Sequence, residues 1–252
     1  MAAIELKIVD KKDTKPAGKR YTKDGVVYLH SRTGKSTKMW CLRDRSEIKA
    51  VFDVFQQKVD EAHTAKRYTI ALRNLTMFVC AINIGLRGGD FCKLVWSDIF
   101  DNNWNFRSYN NNDFVPEKTQ GYHKHISLYW NSDFENAMQR WLLWNNENVF
   151  QQNLNGYIFP SQKGGSHIEE KAWYKIMEST RKEAGIRQKI GTHGLRKTMA
   201  NQYIKNAEDP AAALVEAQQM LGHSSQIVTM NYTCLMGENI WKNKERAAFL
   251  YK

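Results

Sequence analysis

His193 and Arg196 stand three apart in Gly191-Thr-His-Gly-Leu-Arg-Lys-Thr198. On a helix that spacing puts both on one face, where they can reach one anion together. Alone the pair is a weak signal, since most such pairs are ordinary surface residues. Thirty residues on stands Leu221-Gly-His223-Ser-Ser225, and nine past that histidine stands Tyr232. Upstream, Gly85-Leu-Arg87-Gly-Gly-Asp90 supplies a second arginine in a glycine-rich turn, and Glu117-Lys118-Thr119 falls at a predicted strand end. Attack by an oxygen nucleophile on a phosphodiester builds charge on two non-bridging oxygens. Two planar, permanently charged guanidiniums, Arg87 and Arg196, are a natural clamp for them. A tyrosine hydroxyl is a weak nucleophile at neutral pH and needs a base or a cationic surrounding. His193 is the first candidate to take the proton of Tyr232, and His223 to donate to the phosphate.

Taken in order, the first arginine, strand lysine, H-x-x-R, L-G-H and tyrosine resemble the signature of the tyrosine recombinases of the phage-integrase family, over roughly residues 46–252. The nine-residue step from His223 to Tyr232 matches as well. The resemblance implies the recombinase catalytic-domain fold and an enzyme that cleaves and rejoins DNA through a 3′-phosphotyrosyl intermediate. Lys118 then acts as general acid for the leaving 5′ oxygen, and Asp90 holds the cations in place. A plain surface charge is the competing reading of Asp90. A type IB topoisomerase or telomere resolvase shares this active site, and a DNA-binding protein on a dead scaffold is the non-enzyme alternative. The L-G-H-S-S block favours the integrase branch, and the intact set argues against a dead site. Neither a metal nor another cofactor is implied. His123 and His125 alternate on one strand but have no ligand partners at useful spacing.

The chain departs from the family pattern in places. Gly194 and Lys197 replace the common acidic residue and second histidine, and Thr233-Cys234 follows the nucleophile. Family members usually carry a helical core-binding domain ahead of the catalytic one, whereas about 45 residues stand there here. A truncated chain and a minimal lineage that clamps DNA differently both stay open.

The elements that must position these residues are mainly helical. Ile48, Val51, Phe52 and Phe55 recur at helix spacing from Arg45, and a second helix is expected over Ala65–Ile84. Asp101 to Leu128 alternates between Asn-rich turns, predicting a small three-stranded antiparallel sheet. Further helices are expected at Ser132–Asn145, Ile168–Ala184, Gly194–Asn206 and Ala211–Leu221. The stripe of Phe134, Ala137, Met138, Trp141 and Trp144 reads as core. The stretch around Thr229, Asn231 and Thr233 lacks apolar periodicity and reads as a mobile segment carrying Tyr232. A last amphipathic segment, Glu238 to Tyr251, is by resemblance a tail helix that docks on an adjacent protomer; packing on its own domain is the alternative. The fold class is thus α+β, mainly α with a small sheet.

At 252 residues and a net charge of +11, the chain has the balance of a polyanion binder. Residues 1–45 hold twelve Lys or Arg against five acids, so +7 of the total sits there. That segment reads as a DNA-binding arm, with Lys19, Arg20, Lys35 and Lys38 on phosphates beside Lys197 of the catalytic domain, 46–252. Within the arm, Gly25–His30 and Lys38–Leu42 form an expected hairpin. Gly34-Lys35-Ser36 has Leu29 where a P-loop needs glycine, so no nucleotide site is assigned. Four scattered cysteines fit reduced thiols, and no apolar run predicts a signal peptide or membrane span. The expected partners are double-stranded DNA and further copies in a dimer or tetramer, with room for an accessory directionality protein. The expected place is the cytoplasm, at the nucleoid, as part of a mobile element.

Overall fold

The computed structural model describes residues 6–9, 20–23, 26–30, 39–108, 113–117, 125–148 and 153–233. The chain divides into two units, Met1–Lys38 and Met39–Lys252. In the first, β1 (Leu6–Val9) runs parallel to β3 (Val26–His30), and β2 (Arg20–Lys23) pairs antiparallel with β3 in the register Arg20 to Leu29. The hairpin expected between 25–30 and 38–42 is therefore differently paired. Its sequence signal is Asp24-Gly25, a dipeptide favoured in two-residue hairpins, between β2 and β3.

Met39–Arg43 is instead a strap: its Trp40 amide donates to the Lys189 carbonyl and its Arg43 amide to the Glu47 carboxylate, while other groups of the strap bond to a distant helix of the second unit. That unit is mostly helical. α1 (Arg45–Asp60) buries Val51, Phe55 and Val59, one side of the helix, against α2 (Ala65–Ile84). Thr64 caps α2 by accepting from the Arg67 amide at 3.3 Å. α2 is the central helix, burying Leu72, Leu75, Met77, Phe78, Cys80 and Ile84 among others. Two short helices, α3 (Gly88–Cys92) and α4 (Trp96–Ile99), follow the glycine-rich turn.

Between 101 and 128 the described residues hold one two-stranded antiparallel ladder, β4 (Asp113–Phe114) with β5 (Ile126–Ser127). The third strand expected there is not among them. α5 (Ser132–Asn148) buries Phe134, Met138 and Trp141, while Trp144 is half-buried. The indole N–H of Trp141 donates to the Ile158 carbonyl at 2.8 Å and that of Trp144 to the Thr69 hydroxyl at 2.9 Å. Both indoles are structural, their polar tips paired within the fold. α6 (Glu170–Glu183) sends Trp173 and Met177 into the same core, with Phe55 stacked 6.1 Å from Trp173.

The last three helices carry the site: α7 (Thr192–Lys205), α8 (Pro210–Leu221) and α9 (Gln226–Thr233). Asp209 caps α8, accepting from the Ala211 and Ala212 amides, with Pro210 at the first helical position. α9 gives the stretch around Tyr232 a helical form that its sequence, without apolar periodicity, did not announce. Its Thr229 and Thr233 are fully buried, held by hydrogen bonds rather than by an apolar stripe. Among the described residues no helix is long and apolar enough to cross a membrane.

Candidate active site

α7 presents His193, Arg196 and Lys197 from adjoining positions of one face. Arg196 is 3% exposed, and its guanidinium braces two helix ends. Nη1 donates to the Gly85 carbonyl at the end of α2 (2.7 Å), and Nη2 to the Leu221 carbonyl at the end of α8 (2.6 Å). Helix C-termini leave such carbonyls without intrahelical partners. Burial lowers the Arg196 pKa from its usual value, with Tyr232 opposing the shift and Arg87 adding to it.

The L-G-H sequence has a physical reason. Leu221 ends α8 with its carbonyl turned to Arg196, and Gly222 adopts the left-handed conformation (φ +62°) that favours glycine. The His223 amide then donates back to Gln218 at 3.0 Å, closing the helix. His223 is thereby aimed at α9, where its Nδ1 lies 3.0 Å from the Thr229 hydroxyl.

Tyr232, on α9, stands between the two imidazoles. The His193 and His223 rings each lie 5.0 Å from its ring, edge to face at 88° and 74°. Its hydroxyl is 3.4 Å from His193 Nδ1. Arg196 Cζ is 6.0 Å and Lys197 Nζ 5.3 Å from the ring centroid. The ring packs on Met199, Ala200 and Leu221. Partial burial, then Lys197, Arg196 and Arg87, push the His193 pKa down to about 4. Its place in the first turn of α7 acts in the same direction. A neutral imidazole beside a phenol is a proton acceptor at neutral pH.

Arg87 is half-buried before α3 and shares a small cavity with Arg196, Asp90, Pro116 and Leu221. Asp90 is buried and accepts from the Glu117 amide at 2.9 Å. It thus fixes the backbone one residue before Lys118 and is not a surface charge. Lys118 itself lies outside the described residues, as do Lys19, Lys35, Lys38, His123, Cys234 and the expected tail helix. Arg20 opens β2 in the first unit. His125 is exposed.

Lys197 corrects the expectation of a phosphate-facing lysine. It is 9% exposed, and its ammonium donates to the Met39 carbonyl at 3.1 Å. The strap makes further bonds to α7: Leu42 N to the Thr198 hydroxyl (2.9 Å) and Gln202 Nε2 to the Arg43 carbonyl (2.8 Å). Gly194 follows from this, since a Cβ there would collide with the Trp40 carbonyl. Sequence reasoning missed the interior roles of Lys197 and Thr229. For Lys197 the available signal was its four-residue step from His193; for Thr229 there was none, as its role depends on the fold.

The comparisons with known proteins bear on the family and the fold. Over 78 residues, 31% of this chain and 40% of the relative, it is 33% identical to the probable integrase/recombinase YoeC of Bacillus subtilis (strain 168). It also resembles the crystal structure of XerA recombinase (TM-score 0.57, 19% identity, 84% of this chain and 66% of that one). A XerH recombinase bound to difH substrate is similar as well (TM-score 0.55, 20% identity, 92% and 59%), as is a Tn1549 transposon integrase in complex with circular intermediate DNA (0.54, 15%, 79% and 62%). The chain thus spans two fifths of the curated relative and 59–66% of these structures. Residues 53–238, the span that holds both arginines, both imidazoles and Tyr232, match the phage integrase family model, and the chain belongs to that family.

Proposed function

We propose that the chain is a tyrosine site-specific recombinase that cleaves and rejoins DNA strands through a 3′-phosphotyrosyl intermediate. The observation that carries this reading is the Tyr232 hydroxyl 3.4 Å from a histidine nitrogen whose pKa is held down to about 4. In the proposed reaction His193 takes the phenolic proton as the oxygen attacks phosphorus. Arg87 and Arg196 bind the two non-bridging oxygens as charge builds, and His223 donates to the same group. The leaving 5′ oxygen takes a proton from Lys118. Ligation reverses each step, and the phosphotyrosyl bond conserves the energy of the broken phosphodiester. Double-stranded DNA is the partner, with assembly of two or four copies on it, at the nucleoid in the cytoplasm. The test is covalent trapping on nicked suicide duplexes from a small panel of sites. Absence of a denaturant-resistant adduct on every duplex tried would sink the reading.

Two further results are expected. Lys118→Ala slows adduct formation by about 10²–10⁴-fold, the usual worth of a general acid, with binding nearly unchanged. A 5′-bridging sulfur leaves without protonation and restores the rate; failure to restore it assigns the acid elsewhere. The arm reading is tested by deleting residues 1–38, which carry ten Lys or Arg against four acids. The cut stops at Lys38 because the strap belongs to the second unit. Affinity should fall by about tenfold or more, and the salt slope should flatten by ~0.9 for each phosphate that is no longer neutralised. Unchanged affinity and slope would make the segment a passive tail.

A further inference from the structure

We infer that Lys197 is a positioning residue for the Tyr232–His193 pair: held by the Met39 carbonyl, its ammonium sets a fixed cation against the tyrosine ring and one helical turn from His193, so that the imidazole stays a proton acceptor. The inference rests on the recombinase reading for its catalytic meaning, but its geometry stands by itself. Nζ lies 3.1 Å from the Met39 oxygen and 5.3 Å from the Tyr232 ring centroid, in a side chain that is 9% exposed.

A merely structural role explains this placement poorly. Among the described residues the Lys197 ammonium has no carboxylate partner; a carbonyl and a ring face are what it touches. A part-buried ammonium without a carboxylate is poorly compensated, whereas an apolar side chain of similar length would fill the space. Two arginines stand nearby, so the third cation adds repulsion. What the group gains there is influence over its neighbours. An ammonium that close disfavours a second positive charge on His193 and favours negative charge developing on the Tyr232 oxygen.

The charges around His193 come from every side. Lys197 and Arg196 face it from α7, Arg87 from the start of α3, and Tyr232 from α9, with His223 across the tyrosine ring. The nearby carboxylates are otherwise engaged. Asp90 accepts from the Glu117 amide, and Glu170 accepts from the hydroxyl of Thr192, the residue before His193. Lys197 comes first among the cations that lower the His193 pKa. The strap that holds it is the segment directly after the basic first unit, at Met39.

The test uses Lys197→Gln, which keeps a donor for Met39 and loses the charge, beside Lys197→Met and Lys197→Arg. The 252-residue chain labelled with ¹⁵N-histidine is titrated by NMR, and adduct formation on a suicide duplex is timed across pH. In the parent, His193 stays neutral down to about 4. In both neutral variants its midpoint should rise by about one unit or more, toward the ordinary value near 6.5, and the acid limb of the rate profile should move with it. Lys197→Arg should restore both. An unmoved His193 midpoint in Lys197→Gln, or a rate lowered equally at every pH, would overturn the inference. If the parent forms no adduct at all, the recombinase reading fails, while the titration still decides the role of Lys197.

Discussion

Tyr232→Phe is expected to form no covalent adduct on a nicked suicide duplex, yet to fold and bind DNA as the parent does. The ring of Tyr232 has structural duties that phenylalanine can take over. It packs on Met199, Ala200 and Leu221, meets the edges of two imidazoles, and lies under the Lys197 ammonium. Only the hydroxyl, 3.4 Å from His193, is lost, and with it the proposed attacking oxygen. The chain has eleven tyrosines, so the contrast with another one is informative. Tyr203, also on α7, donates its hydroxyl to Glu216 at 2.5 Å, and that carboxylate pushes its pKa up to about 12. A phenol bonded to an anion resists ionisation, whereas Tyr232 has the cations of Arg196 and Lys197 beside its ring. Tyr203→Phe should therefore trap as the parent does. An adduct that persists in Tyr232→Phe, or one that peptide mass maps to another tyrosine, would remove Tyr232 from the nucleophile's role.

What could be read from the sequence was which residues gather at the candidate site, and the regular helices. The gathering was legible because the proposed phosphate clamp calls for particular residue types. Arg87, His193, Arg196, His223 and Tyr232 stand in order along the chain, and the fold brings them around one ring and one small cavity. α1, α2, α5 and α6 were legible because each buries a periodic apolar face. α9 was not, since Thr229 and Thr233 reach the interior through hydrogen bonds to His223 and Met230 rather than through hydrophobic spacing. The strap was beyond local reasoning too. Several of its bonds join residues more than 150 apart, such as Leu42 to Thr198 and Met39 to Lys197, and no period within 39–43 announces them. The same distance hid the interior position of Lys197, which composition alone counts among the basic residues facing DNA. Asp90 was half legible: its closeness to Arg87 was visible, but its bond to the Glu117 amide required the fold.

Arg196→Lys is expected to lose both stability and activity, whereas Arg87→Lys should lose activity alone. The difference follows from what each guanidinium does before any substrate arrives. Arg196 joins the ends of α2 and α8, and a lysine ammonium at the same place cannot span the Gly85 and Leu221 carbonyls with two parallel bonds. One carbonyl is left buried without its partner, at roughly 1–3 kcal/mol, and the thermal midpoint should fall accordingly. The Leu221 end is also where Gly222 turns the chain toward His223, so slack there misplaces a second site residue. Arg87 differs: among the described residues no hydrogen bond or ion pair holds its side chain, which is half-buried at the cavity it shares with Arg196. Replacing it should move stability by no more than about 0.5 kcal/mol. On the suicide duplex both variants should form adduct about 10²–10³-fold more slowly, the worth of one well-placed donor to a developing oxyanion. Thermal unfolding and single-turnover trapping on the same preparations separate the two roles. If Arg196→Lys unfolds at the parent's temperature, the brace between α2 and α8 does not support the fold. If Arg87→Lys traps at the parent's rate, the first arginine is not part of the phosphate clamp.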